Sequence, residues 1–292
     1  MKIHWMLAVL TITLTTQSIG FAGGKVEHHQ ITSKILADGG EVAERELSVY
    51  LPEEYNTSEL VYPVLYLISG TTGTNRTLLG AGYGGTMSDA NAQVIVDNLI
   101  NEGTIKPLIV VLPHLGRNRA SVSPFDDYLA QEIVPFVDTE YRTISRREAR
   151  TISGHSRGGH DALHIAFKYP HLSSLVGGHG SGAVGAVGGG VLPARDVVAA
   201  HNQNQFPLHF WLSVGKNDKQ ARIRLNRDFV KVLQEFNFPH VFVEDDGNHF
   251  SRVAARLADS IVFFSEKLGG GIVAVQPRGK LTTAWGQIKY GR

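Results

Sequence analysis

Ser156 stands in Gly154-His155-Ser156-Arg157-Gly158-Gly159, the one Gly-x-Ser-x-Gly string of the chain. In a sequence with 32 glycines the string alone is a weak signal, and its flanks carry the weight. Residues 149–153 read as a strand, and 159–169 read as a helix with Leu163, Ala166 and Phe167 on one side. A strand, a tight turn and a helix are what a strained nucleophilic serine needs: small flanking residues let backbones approach, and the hydroxyl emerges at a helix N-terminus. The plain alternative is a Gly-rich turn with an incidental serine.

A hydroxyl is a poor nucleophile near neutral pH, so chemistry at Ser156 requires a base in reach and a carboxylate to orient that base. Both candidates lie downstream. Asp218 ends the turn Gly215-Lys216-Asn217-Asp218, after an apolar run at 208–214. His249 lies in Asp245-Asp246-Gly247-Asn248-His249-Phe250, after a strand-like stretch at 240–244. Asp245 and Asp246 compete for the acid role but neighbour His249 and would have to fold back on it, so Asp218 is preferred. A turn cap at Asp218 and a helix cap at His249 are the structural alternatives. A tetrahedral oxyanion also needs two fixed donors. The backbone N–H of Arg157 is one candidate. The other comes from Ser69-Gly70-Thr71-Thr72-Gly73-Thr74, with Thr71 chosen and Thr72 its near alternative.

Positioning these groups falls to alternating strands and helices. Residues 45–51 alternate polar and apolar, whereas 61–68, 108–112 and 208–214 are almost continuously apolar, as in strands buried on both faces of a parallel sheet. Helical stripes run through 89–101, 125–141 (Leu129, Ile133, Val137), 222–236 (Leu225, Phe229, Val232, Phe236) and 250–268 (Val253, Leu257, Ile261, Phe264, Leu268). The alternation predicts an α/β fold with a mostly parallel central sheet and helices on both faces. Asp218 and His249 then lie beyond strand carboxyl ends, where sites of open α/β sheets form. Residues 177–190 are Gly-rich and predict a long loop after a strand at 174–176. The stretch 177–206, with His179, Arg195 and His201, is expected to shape a substrate pocket. No repeat or linker divides 23–268, which is expected to be one domain; 269–292 reads as a C-terminal tail without clear period.

The 292 residues are 42% hydrophobic, enough for a sizeable core, and carry 28 basic against 27 acidic side chains. Without clustered Lys and Arg, a nucleic-acid partner is not expected. The absence of cysteine excludes disulfides, a thiol nucleophile, Cys-ligated metals and a lipid anchor on an N-terminal Cys. Lys2, an apolar run at 5–14 and Gly20-Phe21-Ala22 read as a secretory signal peptide, residues 1–22, cleaved near Ala22. Roughly ten apolar residues fall short of the ~20 that span a bilayer, so no stable membrane anchor is expected after cleavage. The expected location is periplasmic or secreted, with 27 bases and 27 acids left in the mature chain.

The strings LSVYLPEEYNTSELVYPVLYLISG, VVLPHLGRNR and GHSRGGHDAL, with the late Asp and His, together resemble the esterase D-type branch of the α/β-hydrolases. S-formylglutathione hydrolases, feruloyl and acetylxylan esterases, enterochelin esterases and mycolyltransferases belong to it. The resemblance spans roughly residues 47–268 and several ordered motifs. It implies an α/β-hydrolase fold, a triad of Ser156, Asp218 and His249, and oxyanion donors at Thr71 and Arg157. A small-molecule or glycan-linked ester substrate and no cofactor or metal are implied with them. Two positions depart from the common pattern: Ser69-Gly70 stands where many members have His-Gly, and Arg157 where Met commonly follows the nucleophile.

Other readings stay open. His160 and His164 sit one helical turn apart, a zinc spacing, although Asp161 stands where metalloproteases use Glu. The same triad could pass an acyl group to an alcohol instead of water. An exported binding protein with a silent site is a further possibility. Arg157 and Arg195 are read as solvated surface residues or, alternatively, as contacts for an anionic substrate. His28-His29 reads as a solvated edge.

Overall fold

The computed structural model describes residues 23–116, 124–181 and 195–269. Eight strands form one sheet: β1 Lys25–Thr32, β2 Glu44–Leu51, β3 Val64–Ile68, β4 Ile109–Pro113, β5 Arg150–His155, β6 Leu175–His179, β7 His209–Gly215 and β8 His240–Asp245. Their order is β1-β2-β4-β3-β5-β6-β7-β8. β1 and β2 run antiparallel to their neighbours, and every pairing from β4 to β8 is parallel. This is the α/β-hydrolase fold with helices on both faces.

The continuous apolar runs become central strands because both of their faces are covered. Along β3, Leu65 and Leu67 join one core while Val64, Tyr66 and Ile68 join the other. β4 divides likewise, with Val110 and Leu112 on the first side and Ile109 and Val111 on the second. The first core is closed by α2 (Ala92–Asn101) and α8 (Val253–Gly269), through Val96, Val253, Leu257 and Ile261. The second is closed by α5 (Arg157–Lys168) and α7 (Gln220–Glu235), and by α3 (Phe125–Tyr128) and α4 (Val134–Glu140) on either side of a π turn. Each such side chain contributes roughly 1.5–3 kcal/mol when fully buried. Two short helices, α1 (Lys34–Asp38) and α6 (Arg195–Ala200), complete the set.

The short helices α1 and α6 were not anticipated, and three further elements depart from the sequence expectation. β1 was not anticipated: it lies on the sheet edge with no fully buried residue, so its polar sequence shows no apolar alternation. His28 and His29 sit on this edge strand, half-buried or exposed. The helix predicted over 125–141 is interrupted by a π turn at Leu129–Ile133, just ahead of Pro135, which has no N–H to give the carbonyl four residues back. The loop predicted from residue 177 begins later, because β6 runs through Gly177 and Gly178 to His179. There the glycines serve close packing: a Cβ on Gly177 would lie 2.1 Å from Ser153 Oγ.

The predicted leader at 1–22, residues 182–190 of the Gly-rich loop and the tail from 270 lie outside the described residues. Among the described residues no helix is long and apolar enough to cross a membrane.

Candidate active site

β5 delivers the chain to Ser156 and α5 begins at Arg157. Ser156 has φ 56° and ψ −118°, a conformation that costs a non-glycine residue on the order of 1–3 kcal/mol. Packing enforces it. The Ser156 N–H donates to the His179 carbonyl at 2.8 Å, and the flanking glycines admit the neighbouring backbones. A Cβ on Gly158 would lie 2.2 Å from the Ile68 carbonyl oxygen, so α5 could not start this close to β3 with any other residue.

The imidazole of His249 lies between Ser156 and Asp218. Its Nε2 is 2.9 Å from Ser156 Oγ, and its Nδ1 is 2.9 Å from Asp218 Oδ2. A carboxylate only accepts, so Nδ1 carries the proton and Nε2 is left to accept from the serine hydroxyl. Asp218 Oδ1 is occupied by the Lys219 N–H at 2.6 Å and by the Arg222 guanidinium. Burial alone would raise the Asp218 pKa. The hydrogen bond and charge of His249, with Lys219 N–H and Arg222, outweigh burial and hold the carboxyl below its usual value.

The competing acids are engaged elsewhere. Asp245 takes both oxygens to Arg256, from Nε and Nη2 at 2.6 Å each, and Asp246 is exposed beside Arg252 at 3.2 Å. The two loops that carry Asp218 and His249 are stitched together. Lys216 N–H donates to Asp245 O at 2.7 Å, Asn217 N–H to Gly247 O at 3.0 Å, and Asn217 Nδ2 to Asp246 O at 2.6 Å.

Thr71 and Thr72 both line the cleft over Ser156, which encloses about 610 Å³. Their turn closes through Gly73 N–H to Gly70 O at 2.9 Å, with Thr72 at φ 63°. A Cβ on Gly70 would sit 3.0 Å from Ser156 Cβ, so this turn abuts the serine. Arg157 supplies its backbone at the first position of α5, but its side chain is buried on Asp161 at 2.8 Å. Its guanidinium is therefore not a solvated surface group. Arg195 is a surface residue paired with Glu235. Of the stretch 177–206 expected to shape the pocket, residues 182–194 lie outside the described residues, and the two histidines described turn elsewhere. His179 is fully buried within β6, its ring among Ser213 Oγ at 2.9 Å, Ser153 Oγ at 3.2 Å and Ser260 Oγ at 3.3 Å. His201 turns to the Phe206 carbonyl at 2.7 Å.

The rings of the zinc-spaced pair on α5 lie against each other, centroids 4.3 Å apart and planes tilted by 39°, and Asp161 is drawn onto Arg157. Among the described residues no group of three or more His, Cys, Asp or Glu is placed to hold a metal ion. Sequence reasoning missed Tyr83 and Phe250, whose rings meet edge to face at 6.3 Å and line the cleft; Phe250 is 45% exposed. Phe250 directly follows His249, a signal that could have found it. Tyr83 lies in an irregular Gly-rich stretch that carries none.

Similar proteins bear on this geometry. The chain is 32% identical over 133 residues to Esterase Rv1288 of Mycobacterium tuberculosis, a match covering 42% of this chain and 26% of that protein. The chain thus spans about a quarter of the curated relative's length. A solved ferulic acid esterase superposes with TM-score 0.72 at 20% identity, covering 85% of this chain and 99% of the other. The ferulic acid esterase of Anaeromyces mucronatus, solved with ferulic acid, gives TM-score 0.68 at 22% identity, covering 86% and 93%. At these identities the two structures show the shared fold. The family model "Esterase", described as "Putative esterase", matches residues 42–239, and the chain belongs to that family.

Proposed function

We propose that the protein is a serine carboxylic ester hydrolase that works through an acyl-enzyme on Ser156. The observation that carries this reading is the imidazole of His249 held at 2.9 Å from both Ser156 Oγ and Asp218 Oδ2. In the first half-reaction Ser156 Oγ attacks the ester carbonyl while His249 Nε2 takes its proton. The same proton then goes to the departing alkoxide, which leaves as alcohol. In the second half, water gives a proton to His249 as its oxygen attacks the acyl carbon; the bond to Ser156 Oγ then breaks, His249 returns the proton to that oxygen, and the acid leaves. Asp218 keeps the proton of the resting imidazole on Nδ1 and stabilises the imidazolium. The backbone N–H groups of Thr71 and Arg157 are the proposed donors to the oxyanion, supported by the contact of the Gly70 turn with Ser156 and by the position of Arg157 at the start of α5. The steps invoke no cofactor or metal.

The proposed substrate is a small-molecule or glycan-linked ester with a planar aromatic acyl group. Support comes from Tyr83 and Phe250 at the cleft and from the ferulic acid esterases that share the fold. Export is part of the proposal and rests on the leader-like residues 1–22. In the test, a fluorophosphonate probe labels Ser156 in the full chain, and Ser156→Ala abolishes both labelling and hydrolysis of an aryl ester. An unlabelled wild-type protein, or full activity in Ser156→Ala, overturns the mechanism. N-terminal sequencing of protein recovered outside the cytoplasm tests export, with Gly23 expected as the first residue.

A further inference from the structure

His249 is held by more than its ring. Two consecutive main-chain carbonyls of its loop each receive a donor from a buried side chain. Arg256, clamped on Asp245, directs Nη1 to the Asn248 carbonyl at 3.2 Å. His155, the last residue of β5 and fully buried, directs Nε2 to the His249 carbonyl at 2.9 Å. The His155 ring also lies against the His249 ring, centroids 4.8 Å apart and planes tilted by 37°. Since a carbonyl only accepts, Nε2 of His155 carries the proton, and Nδ1 has no hydrogen-bond partner among the described residues. Burial first, then the nearby His249, push the His155 pKa down to about 3, so near neutral pH the ring is a neutral donor.

We propose that His155 is a positioning residue: its Nε2–H fixes the His249 main chain so that the imidazole meets Ser156 and Asp218 together. His155 belongs to the strand that delivers Ser156, so this one hydrogen bond ties the base directly to the element carrying the nucleophile. It spans the gap between β5 and the loop after β8, three strands away in the sheet. Arg256 does the same for the preceding residue from α8. The proposal rests on the acyl-enzyme reading above, yet its structural content, where the His249 ring sits, can be measured without turnover.

The test uses the full chain. His155→Phe keeps a ring and removes the donor, whereas His155→Gln places an N–H at a similar distance from Cβ. His155→Phe is expected to lower kcat on an aryl ester by up to roughly 10²-fold, the scale of a small misplacement of a catalytic group, with KM changed by no more than about threefold. His155→Gln is expected to return kcat to within about fivefold of wild type, a rescue that filling the volume alone would not give. Nitrogen-15 histidine spectra provide the second readout: the His249 Nδ1 proton bonded to Asp218 weakens in His155→Phe and persists in His155→Gln. If His155→Phe does not fold, His155→Asn replaces it, because its amide stops one methylene short of the carbonyl. Wild-type kcat in the folded Phe or Asn variant, or a Gln variant as impaired as they are, overturns the proposal. If the wild-type protein hydrolyses no ester and Ser156 takes no probe, the acyl-enzyme reading falls. The spectra then decide His155 alone: an unchanged Nδ1 proton in the Phe variant refutes its positioning role, and a selective loss there supports it.

Discussion

Acidification should unfold this protein through two histidines that the fold keeps neutral. His155 and His179 are both fully buried, and desolvation above all pushes each pKa down to about 3. In the unfolded chain each titrates near 6.5. Between these values the unfolded chain binds the protons and the native protein does not, so stability falls as pH drops below about 6.5 and the loss levels off near 3. At pH 5 an unfolded histidine is almost fully protonated and a native one almost wholly neutral. The penalty is about one and a half pH units at 1.36 kcal/mol per unit, or about 2 kcal/mol per histidine and about 4 kcal/mol for the pair. That is a large share of the ~5–15 kcal/mol that holds a typical domain together. Urea denaturation at pH 7 and pH 5, followed by tryptophan fluorescence, reads the loss as a lower midpoint. The double variant His155→Gln/His179→Asn removes both titrating groups and should show a smaller drop between the two pH values, whatever its absolute stability. Parallel drops in wild type and double variant would refute the assignment of acid sensitivity to this pair.

In Asp218→Asn the one amide oxygen is claimed by Lys219 N–H and Arg222, so an amide N–H faces His249 Nδ1 and favours the wrong tautomer; kcat should fall roughly 10³–10⁴-fold with little change in KM on an aryl ester, and a kcat within tenfold of wild type counts against the proposed acid. Gly158→Ala drives a methyl into the Ile68 carbonyl, at 2.2 Å, so a marked fall in melting temperature or loss of soluble protein is expected, and a wild-type melting curve would contradict the packing argument. Phe250→Ala opens the exposed aromatic side of the cleft. It should raise KM for a cinnamoyl-type ester severalfold while leaving that for an acetyl ester nearly unchanged, and equal effects on both would remove the case for an aromatic acyl group.

How far the molecule was legible in its sequence follows from what each residue must satisfy. β3 and β4 show as apolar runs because both of their faces are buried, and β7 does so apart from His209 and the buried Ser213 that meets His179. β1 satisfies only an edge, with one side open to water, and its polar sequence could as well be a loop. β6 reads as a flexible segment because Gly177 and Gly178 normally mark turns, whereas here they make room for Ser153 and Ser181. That Ser156, Asp218 and His249 come together was legible because each has a specific chemical type and follows a recognisable strand. Arg157 was misjudged, since its buried partner Asp161 shows only once α5 is packed on the sheet. His155 and Arg256 were illegible as supports for a different reason: both act on main-chain carbonyls, and any residue can own a carbonyl.

The stitched loops after β7 and β8 hold the proposed acid and base together, and His155 joins that pair to β5. Asp218 and His249, the proposed acid and base, stand on loops joined by three hydrogen bonds across Lys216, Asn217 and the 245–247 turn, whereas Ser156, the proposed nucleophile, stands between β5 and α5. A shear of the sheet between β5 and β7 would therefore have to break the hydrogen bond from His155 to the His249 carbonyl before the imidazole could leave the hydroxyl.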